Sequence, residues 1–133
     1  MRTTRLNPET VAAPIGSYSQ AVRVETGDAV WIYVSGQVAL DAEGTLVGVG
    51  DMRAQTERVF ENVRAILGSN GATFADVVKI TTFVTTLDDL AGMREVRGRY
   101  LSAEPPASTA VQVAALVLPE ALIEVDAVAV VTP

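Results

Sequence analysis

The sequence predicts an α+β fold, in which one mixed β-sheet carries two helices packed on one of its faces. Three observations support this prediction. Strand-like and helix-like segments follow the order β-β-β-α-β-α-β-β, both helical segments are apolar on one side, and the last strand is apolar on both faces. A strand with two apolar faces needs two covers, and the helices supply one of them. A second copy of the sheet in another subunit is the simplest source of the other.

The first 38 residues contain three predicted strands. Residues 2–6 form a short edge strand that Asn7-Pro8 ends. Residues 21–24 alternate in polarity, and residues 30–38 are rich in β-branched and aromatic side chains. The second and third strands therefore form a hairpin, and the glycine-containing residues 41–50 that follow are a loop.

The first helix is predicted to begin after Asp51, which is a suitable N-cap, and to end at Asn70-Gly71. Its apolar residues recur at i, i+4, i+7 and i+8, which is the period of an amphipathic helix: Val59, Val63, Ile66 and Leu67. Residues 77–84 have the composition of a further strand.

The second helix is predicted to open with a capping box formed by Thr86 and Asp89 and to end before Pro105-Pro106. Five apolar or aromatic residues would line its buried side: Leu90, Met93, Val96, Tyr100 and Leu101. Residues 109–116 and 122–131 are the last two strands, separated by Pro119-Glu120. The 133 residues suit one domain, residues 1–133.

The composition excludes several classes of chemistry. The chain has no cysteine and no histidine, so thiol nucleophiles, thiolate zinc sites and imidazole bases are absent. No metal site or cofactor is expected. The net charge is −6 and the arginines are scattered, which argues against nucleic acid as a partner. The polar first ten residues and the short apolar runs predict neither a signal peptide nor a membrane span, and favour a cytoplasmic protein.

Several short segments, taken together, resemble one known family. They are the loop Ala13-Pro14-Ile15-Gly16-Ser17-Tyr18-Ser19-Gln20-Ala21, the strand Val34-Ser35-Gly36-Gln37, the first-helix residues 55–63, the run Asp76-Val77-Val78-Lys79 and the closing Ile123-Glu124-Val125-Asp126-Ala127. In this order and spacing they resemble the RidA/YjgF family of reactive-intermediate deaminases. The resemblance implies a chorismate-mutase-like subunit, a homotrimer, and clefts between neighbouring subunits that bind a small molecule.

The resemblance also implies roles for three residues. Glu124 would orient or activate water at an imine carbon, Gly36 would lie against the substrate, and Tyr18 would help to wall the cleft. Other interpretations remain open: Tyr18 as an amphipathic ring at the edge of the core, Gly36 as a simple bulge, and Glu124 as a paired structural carboxylate. Asp126, on the same face as Glu124, is better explained as a structural residue.

Ser108 departs from the family pattern. In deaminating relatives an arginine at this position grips the substrate carboxylate, whereas Ser108-Thr109 offers hydroxyl groups. We therefore expect 2-iminopropanoate and similar acids to bind poorly unless another cation fills in. Arg94 is the best candidate, although a solvated helix arginine is the simpler explanation for it. Ser108-Thr109 could also supply a nucleophile, but the chain has no histidine to activate it.

Two functions follow from these residues. The first is hydrolysis of a small imine or enamine with release of ammonia, on a substrate other than the usual 2-imino acids. The second is a non-catalytic trimer that binds a metabolite or a protein. Ser108 favours the second function, whereas Tyr18, Gly36 and Glu124 favour the first.

Overall fold

The computed structural model describes all residues from Met1 to Pro133. The strands are β1 (Arg2–Leu6), β2 (Ala21–Thr26), β3 (Ala29–Gln37), β4 (Val77–Val84), β5 (Ala107–Gln112) and β6 (Ile123–Val131). The helices are α1 (Met52–Ser69) and α2 (Leu90–Gly98), and a single 3-10 turn covers Phe74–Asp76. The six strands form one sheet in the order β1-β2-β3-β6-β4-β5, in which only the β4–β5 pair is parallel. The predicted mixed sheet with two helices is thus confirmed.

The core lies between the helices and the inner face of the sheet. The four predicted apolar residues of α1 are all fully buried there, beside Ile32, Ile80 and Ile123 from the three central strands. Asp51 is the N-cap of α1, and its side chain accepts a hydrogen bond from the Ala54 amide at 3.0 Å. Complete burial of each large apolar side chain contributes about 1.5–3 kcal/mol, so this layer supplies most of the driving force for folding.

The start of α2 differs from the prediction. Asp89, not Thr86, is the N-cap, and its carboxylate accepts from the Gly92 amide at 3.0 Å. Asp89 takes a left-handed conformation with φ 56°, which short polar side chains tolerate. The Thr86 hydroxyl instead accepts from the Asp88 amide and closes a local turn. The helix ends at Gly98, so Tyr100 lies beyond it, half-buried against Phe60 and Phe74.

β5 is shifted relative to the predicted strand over residues 109–116. It covers Ala107–Gln112, and the ladder ends where the Val113 amide donates to the Val84 carbonyl at 2.8 Å, because β4 ends there. The chain then turns, with Glu120 at φ 68°, before it enters β6. β-Branched residues after position 112 therefore have no strand to pair with, whatever their intrinsic preference.

The outer face of the sheet carries an apolar surface without a cover. Trp31 and Tyr33 of β3 lie opposite Val130 and Val128 of β6, and the two rings are 37% and 46% exposed. The β6 residues that alternate with these valines are buried under the helices. The predicted two-faced character of this strand is therefore present, with one face covered inside the chain and the other open.

Candidate functional site

A cavity of about 310 Å³ opens at the N-terminal end of β6, where this strand meets the bulged part of β3. Its floor is the Gly36 backbone and the Glu124 side chain, and the Tyr18 ring forms one wall. Apolar side chains complete the walls: Ile15, Val38, Val117 and Leu118. The cavity therefore brings together the three residues that the sequence analysis named first, with one ionisable carboxyl group in an otherwise mostly apolar surround.

Gly36 and Glu124 are in direct contact. The register of β3 against β6 shifts between Val34 and Gln37, so Gly36 lies in a bulge. A Cβ at position 36 would stand 2.8 Å from both Cδ and Oε2 of Glu124, which is closer than non-bonded atoms approach. The absence of a side chain at position 36 is thus what lets the Glu124 carboxyl group lie against the strand backbone.

The environment of Glu124 favours its protonated form. Burial raises the pKa of this carboxyl group, and the neighbouring Asp126 carboxylate raises it further. Glu124 makes no hydrogen bond and no ion pair within the chain, unlike four other acidic residues that pair with arginines or accept a hydrogen bond from a tyrosine. A carboxyl group with a raised pKa and free lone pairs is suited to accept a proton from water and to return it.

The loop that carries Tyr18 is held by buried polar groups. Gln37 Nε2 donates to Gln20 Oε1 at 2.7 Å, and Gln20 Nε2 donates to the Ala12 carbonyl at 3.0 Å. The Ser35 hydroxyl donates to the Ser19 carbonyl. Tyr18 itself is 43% exposed, and its hydroxyl accepts from the Ile15 amide at 3.3 Å. The two glutamines therefore fix the loop on which the tyrosine ring faces the cavity.

Gln55 fixes the opposite wall and was not among the predicted site residues. Its fully buried side chain donates to the carbonyls of Gly48 and Glu120 and accepts from the Leu122 amide at 2.8 Å. These bonds hold the loop that carries Val117 into the cavity. The available signal was a glutamine one turn before Val59 on the apolar side of the helix, where a polar residue needs buried partners.

Ser108 lies away from this cavity. Along the ladder, Glu124 is opposite Phe83 of β4, and Phe83 is opposite Val111 of β5. Ser108 is opposite Ile80, three residues earlier. Since side chains alternate between faces, this offset places Ser108 on the face opposite Glu124, and two strand spacings with three residues of rise separate their backbones by roughly 14 Å. Within one chain, Ser108 and Glu124 cannot contact the same small ligand.

Thr109 and Arg94 lie outside the cavity as well. The Thr109 hydroxyl accepts from Lys79 Nζ at 2.8 Å on the outer face of β5. Arg94 is exposed on α2 and forms no ion pair. The arginine that contacts Ser108 is Arg97, whose Nη2 donates to the Ser108 hydroxyl at 2.8 Å. Arg97 was not among the predicted site residues, although it lies one helical turn after Arg94 and hence on the same side of α2.

No group of three or more acidic side chains lies close enough together to hold a metal ion. Neither helix combines the length and the apolar character that crossing a bilayer requires. The ionisable groups that line the cavity are the Glu124 carboxyl group and the Tyr18 hydroxyl.

Comparison with known proteins gives a consistent result. The family model described as Endoribonuclease L-PSP matches residues 9–131. Protein DfrA of Myxococcus xanthus is 46% identical over 117 residues, which cover 87% of this chain and 86% of that protein. The 3-aminoacrylate deaminase RutC of Acinetobacter baylyi is 36% identical over 122 residues, which cover 92% of this chain and 93% of that protein.

Two further matches extend the comparison. The 2-iminobutanoate/2-iminopropanoate deaminase of Rattus norvegicus is 36% identical over 122 residues, with 91% of this chain and 85% of the relative covered. The crystal structure of RidA from an Antarctic Psychrobacter superposes with a TM-score of 0.83 at 38% identity, and covers 96% of this chain and 99% of that one. The similarity therefore extends over almost the whole chain in both sequence and fold.

Proposed function

This chain belongs to the RidA/YjgF family, the Endoribonuclease L-PSP family of the matching model, and from that premise we propose that it hydrolyses a small imine or enamine with release of ammonia. Relatives named as deaminases of 2-imino acids and of 3-aminoacrylate support a deaminase of this general kind. The observation that carries the proposal is the unpaired Glu124 carboxyl group, which lies against Gly36 in a cavity large enough for a small metabolite.

The reaction needs one group that moves a proton twice. Water adds to the C=N carbon as Glu124 accepts one of its protons, and the nitrogen receives a proton to give a carbinolamine. The amine nitrogen then takes up a second proton, the C–N bond breaks as the hydroxyl oxygen forms the C=O bond and gives its proton to Glu124, and ammonia leaves. An enamine enters the same route after protonation at carbon. The raised pKa of Glu124 suits a carboxyl group that accepts a proton and then donates it.

We propose further that the working form is a homotrimer with its clefts between subunits. The uncovered apolar surface around Trp31 and Tyr33 supports this assembly, because contiguous apolar faces of that kind are usually covered by a partner. The separation of Ser108 from Glu124 within one chain supports it independently. A second copy could bring its β5 to the cavity of the first.

The substrate we propose is neither 2-iminopropanoate nor 2-iminobutanoate. Ser108 has neither the charge nor the reach of the arginine found in deaminating relatives, so a carboxylate next to the imine carbon lacks its usual partner. The proposed setting is the cytoplasm, with a small molecule as the ligand and no nucleic acid or membrane as a partner.

The test is a competition assay for imine lifetime. An amino-acid oxidase generates each imine, semicarbazide traps what remains, and the protein should lower the trapped fraction for at least one imine or enamine. Glu124→Gln should lose this effect because an amide cannot accept the proton. Glu120→Gln, an exposed change in the neighbouring loop, is the matched control and should retain it. If Glu124→Gln were as active as the unchanged protein, the proposal would be wrong.

A second candidate is a non-catalytic trimer that binds a metabolite or a protein, and Ser108 is the observation that favours it. In that case a small molecule would bind in the Glu124 cavity, but no imine or enamine would be hydrolysed faster than in buffer. Binding without turnover in the same assay separates the two functions.

A further inference from the structure

A second cavity, of about 200 Å³, lies between α2 and β5 on the helix side of the sheet. Val84, Leu90 and Met93 form an apolar wall, whereas Arg94 and Arg97 place two guanidinium groups at its border. The cavity therefore combines room for a short hydrocarbon chain with positive charge at one side, which is the composition expected of a site for an amphipathic anion.

Arg97 is incompletely satisfied in this position. Its Nη2 donates to the Ser108 hydroxyl, but its Nε is shielded from solvent and has no hydrogen-bond acceptor. Neither Arg97 nor Arg94 forms an ion pair with a carboxylate. Burial lowers the pKa of Arg97, and the positive charge of Arg94 lowers it further. A half-buried cation beside a second cation is costly unless an anion joins them.

The other arginines near α2 differ from Arg94 and Arg97 in this respect. Elsewhere around α2 the arginines are paired, since Glu95 binds both Arg53, at 2.6 Å, and Arg99, at 3.3 Å. The chain has six more acidic than basic residues overall. Two adjacent arginines without a partner, in an acidic chain, indicate that the missing counter-charge comes from outside the chain.

We propose that Arg97, assisted by Arg94, holds the anionic end of the ligand in this second cavity, and that the ligand is an imine or enamine with a carboxylate several bonds away from its nitrogen-bearing carbon. This inference rests on the proposed function, because it takes the cavity between α2 and β5 of one subunit to adjoin the Glu124 cavity of its neighbour. Arg97 is then the specificity-determining residue, and Ser108 orients it.

The lining of the cavity indicates where the anionic group of the ligand lies. Arg97 Nη2 lies within hydrogen-bond distance of the short Ser108 side chain, at the border of the cavity. The apolar wall formed by Val84, Leu90 and Met93 suits methylene groups between the imine carbon and a distal carboxylate that reaches Arg97.

The direct test measures binding without turnover. Isothermal titration calorimetry on the unchanged protein should detect glutarate but not glutaramide, which has the same length and no charge, and the affinity for glutarate should fall with added salt. Arg97→Gln should weaken glutarate binding about tenfold or more, since a charge-assisted, forked contact is lost. Arg99→Gln removes the same charge from the end of α2 outside the cavity and should leave the affinity unchanged. Equal binding of glutarate and glutaramide, no binding of glutarate, or equal losses in the two variants would overturn the inference.

The arginine anchor should also affect the rate of imine hydrolysis. The protein should act on 2-iminoglutarate at least tenfold faster, as kcat/KM, than on 2-iminopentanoate, which has the same chain length without the distal carboxylate. Arg97→Gln should abolish this preference mainly through KM. If glutarate binds through Arg97 but no imine is hydrolysed, the anion site stands and the proposed hydrolysis is wrong. If imines are hydrolysed through Glu124 with no preference for a distal carboxylate, the hydrolysis stands and the anchor is wrong.

Discussion

The Glu124 carboxyl group lies directly against the Cα of Gly36, at a distance that a Cβ at position 36 would reduce to 2.8 Å. The bulge in β3 and the apolar neighbours of Glu124 in β6 together produce this contact, since Val125 on one side of it is fully buried. The contact places an ionisable group at the floor of a cavity and leaves no space for a Cβ at position 36 while Glu124 stays in place. Both features link the sequence pattern to the proposed chemistry.

The first prediction concerns Gly36→Ala. The new methyl group should push the flexible Glu124 side chain away from the strand, so that imine hydrolysis falls at least tenfold while the fold is kept. The change in kcat is measured with the competition assay, and folding is monitored by thermal unfolding. Gly68→Ala is the matched control, because a Cβ there meets no atom and the change should stabilise α1 by about 0.5–1 kcal/mol. Full activity of Gly36→Ala would contradict the account of the contact.

The second prediction concerns pH. Because the pKa of Glu124 is raised by burial and then by Asp126, kcat should decrease toward acid with an apparent pKa above the ordinary value of 4.5. Asp126→Asn removes one of these causes and should move the acidic decrease in kcat to lower pH. An unchanged apparent pKa in Asp126→Asn would show that the two carboxyl groups are not coupled.

The raised pKa also affects stability, with a sign that can be tested. The folded state binds the Glu124 proton more tightly than the unfolded state, so its contribution is fully present below pH 4.5 and is lost as the pH rises through the folded value. Glu124→Gln should therefore gain stability relative to the unchanged protein as the pH rises from about 4 to about 8, measured by denaturant unfolding. If Glu124→Gln instead lost stability relative to the unchanged protein over this range, the pKa of Glu124 would not be raised in the folded state.

The third prediction concerns the anchor at position 108. Ser108→Arg should raise kcat/KM for 2-iminopropanoate, because a bidentate pair with a carboxylate is worth roughly 2–5 kcal/mol when the site is desolvated. The new guanidinium would stand next to Arg97, so the gain should be larger in the double variant Ser108→Arg/Arg97→Gln, which removes the like charge. Adding Glu124→Gln should cancel the gain. If Ser108→Arg and the double variant Ser108→Arg/Arg97→Gln both fold as trimers and remain inactive, the non-catalytic binding function becomes the better explanation.

The fourth prediction concerns assembly. Light scattering should give a mass of about 42 kDa, three times that of the 14.0 kDa chain. Tyr33→Asp would place a carboxylate opposite Val128 on the uncovered face, and should release monomers because burying an unpaired charge costs on the order of 3 kcal/mol or more. Val49→Asp changes an exposed apolar residue in the loop before α1 and should leave the mass unchanged. A monomer mass for the unchanged protein at micromolar concentration would contradict the proposed trimer and the cleft between its subunits.

Local patterns were sufficient to predict most of the fold. Periodicity identified the buried side of α1, Asp51 identified its start, and residues 77–84 coincide with β4 as found. The errors lie where tertiary contacts decide. The end of β5 is set by the end of its partner β4, and the cap of α2 is set by the left-handed conformation of Asp89, neither of which is encoded in the local propensity of the segment.

The candidate site was predictable in one half only. Glu124 and Gly36 were identifiable as a charge and a glycine inside strongly β-forming runs, and they do meet in space. The other part of the prediction was Arg94 as a cation near position 108, whereas the arginine of α2 that turns toward β5 is Arg97. The choice follows from the hydrogen bond to Ser108, which requires the three-dimensional packing of α2 on the edge strand.

The most direct test of the central claim, that Glu124 and Gly36 form a ligand site, is a crystal structure of the protein with 2-oxoglutarate, the product expected from 2-iminoglutarate. We predict a trimer in which the C2 carbonyl carbon lies between Gly36 and Glu124 of one subunit, and the distal carboxylate contacts Arg97 of the next. A trimer in which a neighbouring subunit fills the Glu124 cavity, or a ligand bound only elsewhere, would contradict the account.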